Sequence, residues 1–189
     1  HWWRSYVAVN KRFAEIAAEH ASENARVLVQ DYHLQLVPGM LRELRPDLRI
    51  GFFLHIPFPP QELFAQLPWR KRILEGLLGA DVVGFQTRFG AKNFVRLVNR
   101  FTSYRGSGQA VSVDERRVEA REFPISIDVE RIQSLAADPT IIAKAQEIHE
   151  ELGVGRTVLL GVDRLDYTKG IDNRLRAFHE LLISGQHDV

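Results

Sequence analysis

The sequence predicts an α/β protein built on a mostly parallel sheet. Three observations lead there. Short apolar runs of strand length alternate with stretches of helical periodicity. The helical stretches are long enough to serve as crossovers between parallel strands, which are right-handed when they form. Polar or charged residues follow each apolar run, where open α/β sheets bind their ligands.

In chain order, Tyr6, Val9, Phe13 and Ile16 recur at spacings of three and four, so the chain opens inside an amphipathic helix. Val27-Leu28-Val29 reads as a buried strand, and Leu34, Val37, Leu41 and Leu44 as the face of a second helix. Ile50–Leu54 is a second strand. It runs into Ile56-Pro57-Phe58-Pro59-Pro60, which cannot continue a ladder because three of its residues lack an N–H. Two short helical patterns, around Gln61–Leu67 and Trp69–Leu78, precede a third strand, Asp81–Phe85. Thr87 can cap a helix reaching about Arg100. Gly106-Ser107-Gly108 reads as a loop, Val111–Val113 with Val118–Phe123 as a hairpin or an excursion, and Phe123–Ile127 as the strand that resumes the alternation. Asp128 is a good N-cap; Asp138-Pro139 starts a second helix that ends near Gly153. Thr157–Val162 then reads as the strand of a new βα unit whose helix runs from Ile171 to Leu182. The expected division is 1–127, a helical segment 128–155, and 156–189.

Composition narrows the function. With 45% hydrophobic and 26% charged residues among 189, the chain can bury a core and is not disordered. A net charge of +1 argues against a dedicated nucleic-acid binder, and no apolar run reaches the length of a membrane span. The absence of Cys removes disulfides, thiolate metal sites and Cys nucleophiles, and fits a cytoplasmic address. The first residue is His1 and the helical patterns reach both ends, the expectation for an excerpt from a longer protein.

The chemistry-bearing candidates sit after the apolar runs. Asp31-Tyr32-His33 comes after the first, His55 after the second, Gln86-Thr87 after the third, and Asp163-Arg164-Leu165-Asp166-Tyr167-Thr168-Lys169-Gly170 after the last. Arg164 and Lys169 are two cations on a strand-to-helix turn. Gly170 lets the backbone approach a ligand, and the free N–H groups of the next helix favour an anion. Together they suit a diphosphate, although spacing alone equally admits Arg164 paired with Asp166 and Lys169 solvated. The stretch is not a Walker A loop, because the upstream glycine is missing. Asp31 suits a sugar hydroxyl as a strong acceptor; with His33 it supplies too few ligands for a metal. His55 reads either as a hydrogen-bonded core histidine or as a substrate contact. Gly153-Val154-Gly155 precedes a strand and so is not a dinucleotide fingerprint, and no G-x-S-x-G elbow occurs.

Three stretches then become recognisable. Val29–Leu34, Gly51–Pro59 and Val162–Gly170 resemble signature segments of the trehalose-6-phosphate synthases, retaining glycosyltransferases of family 20; Asp81–Thr87 and Phe123–Ile127 fit the family between them. The resemblance implies a GT-B fold of two Rossmann-like domains facing a cleft. The chain would cover the later part of the N-terminal, acceptor-side domain and the start of the C-terminal, donor-side domain. It implies transfer of glucose from a nucleotide sugar, UDP-glucose, to glucose 6-phosphate with retention, giving α,α-trehalose 6-phosphate for stress protection. By the same resemblance Arg164 and Lys169 hold the donor diphosphate and Asp31 contacts the acceptor. His55 contacts the transferred glucose, with Ile56 beside it near the anomeric centre. No cofactor or metal is implied, nor a nucleic-acid or membrane partner; a homo-oligomer of the full-length protein is compatible. The excerpt alone is expected to be inactive. The competing readings are a related transferase with another acceptor, such as glucosylglycerol-phosphate synthase, and a catalytically silent module of the same fold. A dinucleotide-dependent oxidoreductase would need the missing fingerprint.

Overall fold

The structure, a computed structural model, describes residues 1–185; residues 186–189, the end of the expected 156–189 unit, lie outside the described residues. The chain divides into two compact units, His1–Ser126 and Ile127–Val189. The helical segment 128–155 falls in the second.

The first unit holds α1 (Trp2–His20), β1 (Arg26–Gln30), α2 (Val37–Leu44), β2 (Arg49–Leu54), α3 (Gln61–Phe64), α4 (Arg70–Leu77), β3 (Val82–Phe85) and α5 (Arg88–Phe101). It closes with β4 (Arg105–Ser107), β5 (Ala110–Val113) and β6 (Arg116–Glu122). The strand order is β1-β2-β3-β6-β5-β4, with β1, β2, β3 and β6 parallel and β4 and β5 antiparallel. A single register row runs Val29, Phe52, Val83, Ala120 across the parallel strands, and all four are buried. Helices α2 and α5 pack on the sheet, and α1 packs on α2. Burying such a row is the main stabilising term, about 25 cal/mol per Å² of apolar surface removed from water.

At the amino-terminal end of the sheet, the Arg42 guanidinium forks onto Asp81 at 2.8 Å for both oxygens. Asp81 also accepts from the Ile50 N–H at 2.8 Å, tying α2 to β2 and β3.

Several expectations shift. In α1 only Tyr6 of the expected stripe turns inward; Val9, Phe13 and Ile16 are exposed, while Asn10 and Ala14 are fully buried. The face of α1 that packs on the core runs Trp3, Tyr6, Val7, Asn10, Ala14, Ala17 and Ala18, offset from the expected stripe. The expected 34–44 helix is a 3-10 turn, Tyr32–Leu34, succeeded by α2 from Val37. Gly106 lies in β4 rather than in a loop: a Cβ there would meet the Ala110 carbonyl at 2.7 Å, so glycine permits the tight pairing with β5. The strand that rejoins the parallel set is β6 itself. Beyond it the Phe123 N–H bonds the Phe85 carbonyl at 2.8 Å, and residues 123–127 are not strand.

The second unit holds α6 (Val129–Ala136), α7 (Pro139–Leu152), a 3-10 turn at Tyr167–Lys169, and α8 (Ile171–Ile183). Asp128 and Asp138 cap α6 and α7 by accepting from the N–H groups of Arg131 and Thr140. Thr157–Val162 forms no ladder among the described residues. A strand exists only by pairing, and the second unit offers no other strand among those residues.

A clamp holds α1 to the rest of the first unit. Arg45 donates to the carbonyls of Ala18, Ala21 and Ser22 at the end of α1 and forks onto Asp47. Asp47 also accepts from the Asn24 N–H. The Arg45 fork first, and then that N–H, hold the Asp47 carboxyl well below the usual carboxylate range. A carboxyl depressed in the folded state adds stability that is complete above its unfolded pKa of about 3.9 and lost as pH falls toward the folded value. Asp47→Asn should therefore lower the denaturation midpoint near neutral pH, and the gap from wild type should close as pH falls below about 4. Urea titrations across a pH series measure it; a gap that does not vary with pH would show that the carboxylate charge contributes nothing.

Candidate functional site

Parallel pairing in register brings the carboxyl ends of β1, β2 and β3 side by side, so Asp31, His55 and Gln86 lie along one edge of the first unit. Asp31 and His55 are in contact. The Asp31 Oδ1 accepts from its neighbour Tyr32 N–H at 2.9 Å and from the His55 N–H at 3.3 Å, leaving Oδ2 outside these bonds. The His55 ring is exposed, which removes the core-histidine reading. Its Nε2 lies 2.8 Å from Oε1 of Gln30, the last residue of β1. In the neutral ring Nε2 then carries the proton and donates, and Nδ1 is the remaining acceptor. The Phe53 ring meets the imidazole edge-on at 4.8 Å.

An aromatic plug fixes the loop after His55. Phe58 is buried against Phe64, Phe85 and Phe94, with ring centroids 5.3 to 5.7 Å apart, and its carbonyl accepts from the Asn93 amide. The prolines around it cannot join the sheet, so the loop turns out at His55 and presents Ile56, which is 45% exposed. Gln86 accepts from the Ile125 N–H and is engaged in holding the chain as it leaves the sheet.

Asp31 itself has φ 68° and ψ 171°, a region essentially reserved for glycine. Two residues of α1 hold the segment after it. Tyr6 donates its hydroxyl to the Tyr32 carbonyl at 2.7 Å and accepts from the Gln35 N–H at 3.1 Å. Asn10, fully buried, donates to the His33 carbonyl and accepts from the Leu36 N–H. Burial pushes the Tyr6 hydroxyl pKa up, against the opposing bonds from Gln35 and Asn10. The sequence reading missed Tyr6, Asn10 and Gln30. The available signal was a polar residue four positions after a tyrosine on a helix face that also carries Trp3, Val7 and several alanines.

The 163–170 turn lies in the second unit. Asp166 accepts from both the N–H and the hydroxyl of Thr168, at 2.9 and 2.8 Å, and so starts the 3-10 turn. Those two bonds, with smaller help from Arg164 and Lys169, hold its carboxyl below the usual range. Asp163 is taken by Arg174 of α8 at 2.7 Å. Among the described residues, Arg164 and Lys169 form no ion pair within 4 Å and are exposed, so the pairing of Arg164 with Asp166 does not form. Helix α8 begins without a side-chain cap at Gly170. Lys169 directly precedes this start and Asp172 lies in its first turn; uncapped N–H groups at a helix start favour an anion. No cluster of three metal-ligating side chains occurs among the described residues.

Comparison with known proteins adds to this geometry. The family model described as Glycosyltransferase family 20 matches residues 1–188. The trehalose-6-phosphate synthase of Mycobacterium avium is 57% identical over 98% of this chain and 39% of its own length. That of Mycobacterium tuberculosis is 56% identical with the same coverage. The chain thus spans about two fifths of these curated relatives. Among solved structures, an alpha,alpha-trehalose-phosphate synthase (UDP-forming) of Burkholderia xenovorans in complex with glucose-6-phosphate covers 95% of this chain, with 40% of its own length used, TM-score 0.73 and 28% identity. An E. coli structure bound with UDP-2-fluoro glucose gives TM-score 0.76 at 32% identity over 95% of this chain and 40% of its own. The N-terminal domain of a Candida albicans trehalose-6-phosphate phosphatase gives 0.80 at 31%, over 95% and 39%.

The turn itself makes a prediction. Gly170 has φ 59° and ψ 35°, the left-handed conformation, and a Cβ there would meet nothing closer than Asn173 Nδ2 at 3.7 Å. The penalty of Gly170→Ala is therefore conformational rather than steric, about 1–2 kcal/mol. Gly170→Asn should cost less, because Asn visits this region more readily. Thermal melts of the two variants measure this; equal losses would locate the cost in contacts instead.

Proposed function

The chain belongs to glycosyltransferase family 20, and from that premise we propose that the whole protein makes α,α-trehalose 6-phosphate. It does so by moving glucose from a nucleotide sugar, UDP-glucose, to glucose 6-phosphate with retention. The observation that carries the reading is the Asp31–His55 contact at adjacent strand ends, in a chain 57% identical to a trehalose-6-phosphate synthase. Residues 1–127 then form the acceptor side, 128–155 a helical connection, and 156–189 the start of the donor side.

Asp31 accepts a hydroxyl of the acceptor sugar through Oδ2. His55, its Nε2 engaged by Gln30, uses Nδ1 toward a hydroxyl of the transferred glucose, and Ile56 lines the space beside the anomeric carbon. Arg164, Lys169 and the start of α8 take the diphosphate. As the glycosidic bond breaks, negative charge grows on the leaving diphosphate, and fixed cations stabilise it most in the transition state. The donor phosphate helps remove the acceptor proton during front-face attack. In this reading the leaving group needs no metal, and no cofactor, nucleic acid or membrane takes part. No helix among the described residues is long and apolar enough to cross a membrane; a cytoplasmic address and a homo-oligomer are part of the proposal. A related acceptor, as in glucosylglycerol-phosphate synthase, uses the same machinery. A catalytically silent module is a second reading, favoured by the likeness to the N-terminal domain of a phosphatase.

A donor and acceptor panel on the whole protein, read by release of nucleotide diphosphate, separates these. Release only with another acceptor moves the assignment, and none with any pair supports the silent module. The 189-residue chain alone is expected to release none. Lys169→Ala should weaken UDP binding and turnover together by roughly 2–5 kcal/mol, the cost of leaving a charge unpaired. Asp31→Asn should weaken glucose 6-phosphate and spare UDP. Calorimetric titration of both ligands into both variants checks the division; the reverse pattern would exchange the two sides.

A further inference from the structure

We propose that Tyr6 and Asn10 are positioning residues that hold Asp31 in its glycine-only backbone conformation and thereby aim its carboxylate at the acceptor. The inference rests on the acceptor role proposed for Asp31. Among the described residues, Asp31 is one of three non-glycine residues with positive φ; the others, Asn24 and Asp114, have side chains that tolerate the left-handed helical region. At Asp31 the ψ of 171° places the residue in a region where a Cβ is disfavoured. Such a conformation persists only where the surroundings over-determine it.

The constraints come from both sides of the residue. Before it, the Asp31 N–H donates to the Phe53 carbonyl at 2.8 Å, which extends the β1–β2 ladder by one bond. After it, α1 grips four backbone groups of the 32–36 segment, two through the Tyr6 hydroxyl and two through the Asn10 amide. Neither grip is incidental to packing. Asn10 is fully buried, and its amide nitrogen and oxygen are both bonded, to the Tyr6, His33 and Leu36 backbone. A relaxed φ at Asp31 would swing the 32–36 segment away from α1 and break these four bonds. The sheet fixes one end, α1 fixes the other, and the residue between them is left in the strained form. Its Oδ1 is then spent on Tyr32 and His55 N–H groups, and Oδ2 keeps a single direction.

The test uses the whole protein and has two arms. In the first, Tyr6→Phe removes only the hydroxyl, since its ring can keep its stack on Trp3 at 5.5 Å. The KM for glucose 6-phosphate should rise about tenfold, the loss of one well-formed constraint of roughly 1.4 kcal/mol. UDP affinity should stay within about twofold. Asn10→Ala should act in the same direction more strongly, and its fold is checked by its melting temperature. An unchanged acceptor KM in folded Tyr6→Phe overturns the proposal, as does an equal loss for UDP, which marks a general structural role. The second arm needs no substrate. Asp31→Gly should melt higher than Asp31→Ala, because only glycine relieves the strain. Placed on Tyr6→Phe, the same pair should differ less, because the segment is free to relax. Equal melting of the pair in the wild-type background, or an undiminished gap in Tyr6→Phe, overturns it. If the wild-type protein fails to bind glucose 6-phosphate, the functional reading falls, while this melting cycle still decides whether α1 holds Asp31 in strain.

Discussion

In-register parallel pairing of β1, β2 and β3 is the constraint on which the rest of the first unit depends. Gln30 pairs with Phe53 and Leu54 with Phe85, so the three strands end within one residue of each other and the residues just beyond them emerge on one edge. Asp31 and His55 are 24 positions apart in the chain and touch only because β1 and β2 share a register. A slip of β1 by one residue against β2 would turn Val29 out of the core and separate Asp31 from His55.

The two ends of the sheet are managed differently. The amino-terminal end is closed by charge: Arg42 and Asp81 saturate one another and the nearby backbone. This is a structural use of ionic groups, with partners for each donor. At the carboxyl end the polar groups are only partly consumed. Asp31 keeps one oxygen outside its local bonds, and His55 keeps one ring nitrogen outside its bond to Gln30. The 163–170 turn obeys the same logic. Asp163 and Asp166 are engaged by Arg174 and Thr168, and among the described residues Arg164 and Lys169 form no ion pair within 4 Å, although both act on the Asp166 carboxylate at longer range.

Helix α1 shows why a face read from apolar spacing can be the wrong one. The stripe Val9, Phe13, Ile16 has good periodicity and faces solvent in this unit. The docked face carries Trp3, Tyr6 and Val7 and, in its middle and end, Asn10 and alanines, which a hydrophobicity count undervalues. Small residues allow close approach, and a buried carboxamide can satisfy backbone groups that a 3-10 segment cannot satisfy for itself. That face connects the helix to the site.

The sequence by itself determined the alternation of strands and helices, the caps at Thr87, Asp128 and Asp138, and the family signature in its three long stretches. Those signals are local: periodicity, cap chemistry and residue type are written within a few positions. Tertiary structure alone decided the rest. The bond from Asp31 to His55, the Gln30 partner of the imidazole, and the grip of Tyr6 and Asn10 on the Asp31 segment all join residues more than 20 positions apart. Thr157–Val162 shows the same limit from the other side. Its apolar run carries strand propensity, but a strand is a paired state, and no partner for it exists among the described residues.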